Sequence, residues 1–132
     1  MPEDVIDPIE PLPDHAIAIR GGVIGSLDDL LDQAELAMHE DGYYALSVFC
    51  GHQAPGETVG EVILRIANDA PIPNGKLRVA IVRELRKRGF ELEQVGLPAC
   101  HYDVKLGTVL DREVVGRFAH AFWPPRRNPR WP

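Results

Sequence analysis

The sequence predicts a single α+β domain with a mixed or largely antiparallel sheet of about four to five strands, packed by three to four helices. Three observations carry this expectation. Apolar residues recur at helical spacing in some segments, and in short β-branched or aromatic runs in others. The two kinds of segment alternate along the chain until two strand-like runs follow one another, the arrangement of a hairpin. Finally, 132 residues of which 45% are hydrophobic and 26% charged can close one core without disulfide staples.

The elements follow in order. Residues 1–14 form an acidic leader punctuated by Pro2, Pro8, Pro11 and Pro13, which favours an extended chain outside the core. His15 to Arg20 (HAIAIR), with isoleucines two apart, is a strand ended by Gly21-Gly22. Ser26 then precedes Leu27, Leu30, Leu31, Ala34 and Ala37 on one helical face, with Asp28 and Asp29 at the positive end of the dipole and Gly42 as the stop. Tyr43 to Cys50 (YYALSVFC) reads as a buried strand. Val59, Val62, Ile63, Ile66 and Ala67 repeat the helical spacing up to Pro71 and Pro73. Asn74-Gly75 turns the chain into a short strand, Lys76 to Ala80, and a basic helix, Arg83 to Arg88, stopped by Gly89. Phe90 to Val95 and His101 to Leu106 pair as a hairpin around Gly96 and Pro98. Asp111 caps a last helix whose Val114, Val115, Phe118 and Phe122 share a face before Pro124-Pro125. The domain body is therefore expected over 15–123, with a basic Pro/Arg/Trp tail over 124–132.

No apolar stretch approaches the about 20 residues that span a bilayer, so no membrane partner is expected. The N-terminus is acidic where a secretory signal is basic, which points to a cytoplasmic location with Cys50 and Cys100 as reduced thiols. Whether the two cysteines are neighbours is not readable from their spacing. The net charge is −6, and the first 14 residues hold five acids and no cation, so the rest of the chain is near neutral. Two basic regions stand out on that body: Lys76, Arg78, Arg83, Arg86, Lys87 and Arg88 against Glu84 alone, and Arg126, Arg127 and Arg130 in the tail.

The phosphate-binding, dinucleotide, zinc, thiol-redox and serine-hydrolase fingerprints are all missing, and no metal or other cofactor is expected. His39 lies in the last turn of a helix and complements its dipole, while His52 sits on a loop without ligand spacing to any partner. The most suggestive polar group opens the strand HYDVKL. Alternation puts His101, Asp103 and Lys105 on one face and Tyr102, Val104 and Leu106 on the other. A histidine to carry a proton, beside a lysine to stabilise developing charge, suits acid–base chemistry on a phosphate ester. The alternative is the solvated face of an antiparallel sheet.

His15 opens an earlier strand, so HAIA and HYDV resemble the paired H-x-(Ser/Thr)-x signature of the two-histidine phosphoesterases. That resemblance implies both histidines on one phosphodiester, although Ile17 and Asp103 stand where the family has hydroxyl residues. Arg20-Gly21-Gly22 and Ser47, with a helix between them, are similar in placement to residues that hold NAD in ADP-ribosyltransferases. The glutamate completing that family's site has no motif here, Glu91 and Glu93 being the nearest candidates.

Arg83, Arg86 and Lys87 share one face of the basic helix, and Lys76 and Arg78 precede them on a strand. Such a cluster attracts phosphates, or else docks the chain's own acidic leader. Two functional expectations result. The first is a small, metal-independent RNA- or nucleotide-directed enzyme, toxin-like in scale and ribonuclease- or phosphodiesterase-like, with His101, Asp103, Lys105 and His15 as catalytic candidates. Arg20, Ser47, Lys76, Arg78, Arg83 and Arg86 would then contact phosphate or substrate. The second is a non-catalytic antitoxin, immunity or adaptor module that binds a protein partner through residues 1–14 and 124–132. The enzyme reading places its site on the His101 strand beside the Lys76–Arg88 segment.

Overall fold

A computed structural model describes residues 11–22 and 24–130. The acidic positions 3, 4, 7 and 10 of the leader and the tryptophan at 131 lie outside the described residues. The elements run β1 (Ile17–Gly21), α1 (Leu27–Asp41), β2 (Tyr44–Gly51), α2 (Val59–Asp69), β3 (Lys76–Ile81), α3 (Val82–Lys87), β4 (Glu91–Gln94), β5 (His101–Gly107), α4 (Arg112–His120) and β6 (Arg126–Arg127).

The helix ends follow local chemistry. Ser26 Oγ accepts the Asp29 N–H at 3.1 Å to start α1, and Gly42, at φ 87°, closes it in the left-handed conformation that a residue with a Cβ avoids. Thr58 and Glu61 form a reciprocal capping box at α2, and Asp111 Oδ1 accepts the Val114 N–H at 2.9 Å to open α4. Helix α3 has no side-chain cap and leaves β3 without a loop. Its first amides are satisfied by the chain before β1, with Val82 N–H donating to Ala16 O and Arg83 N–H to Asp14 O.

All strands join one antiparallel sheet in the order β4-β5-β2-β1-β3-β6. The predicted class holds, and the β4–β5 hairpin forms as its turn residues require. The sheet has six strands rather than four or five, because Arg126 and Arg127 pair with Leu77 and Lys76. A strand of two residues is too short to show a period-2 pattern. The tail is accordingly joined to the domain: Trp123 N–H donates to Val79 O, and Asn128 is only 1% exposed.

Strand alternation builds two cores. Ala18, Val48, Cys50, Val104 and Leu106 point to one face and meet α1, α3 and α4 through Leu30, Leu85, Val115 and Phe118. Ile17, Ile19, Leu77 and Val79 point to the other and meet Val62, Ile63 and Ile66 of α2. The cysteines are backbone neighbours, with Cys50 N–H donating to Cys100 O at 2.8 Å. Both thiols are free, Cys50 in the first core and Cys100 packed against the second, and burial raises the pKa of each. No helix among the described residues is long and apolar enough to cross a membrane.

Candidate functional site

The site begins with a parting of the sheet. Strands β1 and β2 pair over only three positions, Ile17↔Gly51 to Ile19↔Phe49. Beyond Ile19, β1 stays with β3 as far as Gly21↔Leu77, while β2 stays with β5 as far as Tyr44↔Gly107. Backbone groups facing the resulting gap lose their ladder partners and need others.

Arg20 fills that gap. Its Nη1 donates to Ser47 O at 2.7 Å and its Nη2 to Gln33 Oε1 on α1, while the guanidinium carbon lies 5.8 Å from the centroid of the Phe118 ring. Burial lowers its pKa from the ordinary arginine value. An arginine nevertheless stays protonated in a protein, and among the described residues Arg20 forms no ion pair. A desolvated cation held only by neutral acceptors is costly, and an anion in the gap would offset that cost.

Three concavities meet at Ser47. One, of about 200 Å³, runs from Arg20 over Phe49 to the Pro71–Asn74 segment. A second, of about 250 Å³, lies between Arg20 and Gln33 on one side and Asp41 and Asp103 on the other. The third, of about 540 Å³, continues over Tyr43, Asp103 and His101 to Leu97.

On β5 the predicted alternation holds. Val104 and Leu106 are in the core, and His101, Asp103 and Lys105 share the opposite face. That face is less solvated than an open sheet surface, since Asp103 is only 8% exposed. Asp103 accepts the Tyr43 hydroxyl at 2.8 Å, and this bond is the chief cause that pushes the Tyr43 phenol up to about 12. The His101 ring lies 5.4 Å from Phe49 at a 34° tilt. Lys105 is engaged by Glu93 at 3.1 Å and lies 4.9 Å from the Tyr43 ring centroid, which leaves it a less available cation.

The other predicted residues are elsewhere. His15 packs edge-on against His52, the ring centroids 6.2 Å apart. It sits four residues along the chain from Ile19, about 13 Å at strand rise, while His101 lies level with Ile19 two strands away. The two histidines therefore do not converge as the phosphoesterase resemblance implies. Arg78 is committed to the tail, donating to Trp123 O at 2.7 Å and Phe122 O at 3.0 Å. Lys76 is exposed at the start of β3. Arg86 pairs with Asp14 at 2.6 Å, so the end of the acidic leader docks on the basic helix, where Arg83 stays exposed. Glu84 lies 3.0 Å from Arg88 and 3.8 Å from Lys87.

The expected position beside Lys76–Arg88 is thus corrected. β2 and β1 lie between β5 and β3, and α3 packs into the core on the face opposite His101. Arg20 and Ser47 are the predicted binding residues that reach the site. Tyr43, Gln33, Phe49 and Asn74 were not foreseen. Among the described residues, no three His, Cys, Asp or Glu side chains converge as a metal site. No protein-family model, curated protein or solved structure matches the chain.

Proposed function

We propose that the protein is an enzyme acting on a mononucleotide-sized phosphate ester in the gap between β1 and β2. The observation that carries this reading is Arg20, a mostly buried cation without an ion pair, open to concavities that lead through Ser47 to His101. Guanidinium is the side chain best matched to a phosphate, and desolvation strengthens its pull on charge that develops there.

A nucleotide fits better than an RNA strand. The cleft has one uncompensated cation, while Asp41 and Asp103 line its flank. Of the basic residues that would have tracked a polyanion, Arg78, Arg86, Lys87 and Arg88 are engaged by the tail, Asp14 and Glu84, and the chain carries −6 overall. In the hydrolysis we assign, a water oxygen adds to phosphorus and the ester P–O bond breaks. His101 takes the proton from water and returns it to the leaving oxygen, and Arg20 holds the phosphoryl oxygens. Asp103, fixed by Tyr43, lines the same concavity as His101.

The test is turnover of bis-nitrophenyl phosphate and of 2′,3′-cyclic nucleotides by the wild type and by His101→Ala. The expected result is a fall of at least about 100-fold with an unchanged circular dichroism spectrum. Undiminished turnover in the variant, or none in the wild type, overturns the assignment.

A further inference from the structure

The concavity that Arg20 and Ser47 share with Phe49 has a chemistry of its own. Its lining includes Phe49, the Pro71-Ile72-Pro73 run, Asn74 and Arg20. At about 200 Å³ it is smaller than the 300–1,000 Å³ typical of whole-ligand sites, so it takes a single ring system rather than an entire ligand.

Two features hold the wall in place. Asn128, buried at 1% exposure, donates from Nδ2 to Ile72 O at 3.2 Å and to Asn74 O at 2.9 Å, and its own N–H donates to Gly75 O. On the opposite side Gly21 leaves the space that the wall occupies, because a Cβ there would collide with Asn74 Oδ1 and press on Ile72 Cγ2 at 3.0 Å. The Asn74 backbone is therefore clamped while its side-chain amide has no hydrogen-bond partner among the described residues. It lies over Gly21 and Gly22, exposed to solvent, and offers one acceptor and a two-hydrogen donor beside the slot.

We infer that this slot is a nucleobase subsite selective for adenine, with Asn74 as the residue that reads the base. A carboxamide pairs bidentately with the N6 amino group and N7 of adenine, whereas guanine presents two acceptors there and cannot match both halves of the amide. Phe49 and the prolines supply the flat apolar contacts that a base requires. The inference rests on the nucleotide reading above, in which Arg20 takes the phosphate.

Calorimetry with AMP, GMP, CMP, UMP, adenosine and ribose 5-phosphate separates the two. The adenine subsite predicts that AMP binds most tightly, and the phosphate anchor predicts that ribose 5-phosphate binds weakly and that Arg20→Gln weakens both. Asn74→Ala should weaken AMP about 5- to 150-fold while leaving ribose 5-phosphate and the melting temperature unchanged. Asn74→Asp, which loses the donor, should weaken AMP at least as much. Equal binding of the four nucleotides, or AMP affinity unchanged in Asn74→Ala, overturns the adenine subsite and leaves the phosphate anchor standing. Adenosine binding that depends on Asn74, with no effect of Arg20→Gln on AMP, sustains the subsite and overturns the anchor. Failure of every probe to bind overturns both.

Discussion

The two faces of the sheet are built from the same strands and put to different uses. One is closed: α1, α3 and α4 bury Leu46, Val48, Val104 and Leu106 beneath Phe118, Phe122 and Leu85. The other is closed over β1, β3 and the Phe49–Gly51 end of β2, where α2 lays Val62, Ile63 and Ile66 on Ile17, Ile19, Leu77 and Val79. Over β2, β5 and β4 it carries Ser47, His101, Asp103, Lys105, Glu91 and Glu93. Alternation within β5 thus separates core residues from the polar candidates, so a substitution on its apolar face should unfold the protein and one on its polar face should leave it folded.

The largest effect is expected on the closed face. Phe118→Ala removes a fully buried ring that meets Phe90, Phe122 and the Arg20 guanidinium, and should cost about 3–5 kcal/mol by chemical denaturation. A loss below about 1 kcal/mol would show that this face is less decisive than its packing implies. Asn128→Ala comes next. It leaves the Ile72 and Asn74 carbonyls short of a donor, and should cost about 1–3 kcal/mol while loosening the wall of the Phe49 slot.

A smaller effect separates the faces by pH. The Tyr43 pKa is raised in the fold to about 12 from the ordinary value of about 10. Its stabilisation is complete below about pH 10 and is lost as the pH rises through about 12, since the unfolded chain ionises first. Denaturation midpoints across that window should fall more steeply for the wild type than for Tyr43→Phe, and parallel curves would argue against the Asp103 bond. The smallest effect belongs to Lys105→Ala on the open face, where the change should stay within about 0.5 kcal/mol because the ion pair with Glu93 is partly exposed. A loss of several times that size would mean that this face also carries the fold.

Local chemistry made much of this legible in advance. Ser26, Gly42 and Asp111 mark helix ends by the bonds they make, and the alternation of HYDVKL correctly put His101, Asp103 and Lys105 on one face. Strand order was not legible, since no residue of β5 records that β2 and β1 separate it from β3. That is why a basic segment expected beside His101 lies elsewhere. Arg20 is marked in the sequence by its place at the end of a strand, but its importance comes from a gap that depends on where two neighbouring ladders part. Asn74 and Asn128 had no local signal beyond turn-forming composition, because one is defined by a missing Cβ at Gly21 and the other by carbonyls more than 50 residues away.

The short register between β1 and β2 has a mechanical consequence. Three paired positions are the seam between a two-strand jaw capped by β6 and a three-strand jaw of β2, β5 and β4. With so few rungs across it, the seam is also bridged by Arg20, which reaches from β1 to Ser47 O on β2. Amide hydrogens along it should exchange sooner than those inside either jaw, and a ligand gripping Arg20 would slow them by acting as a clasp.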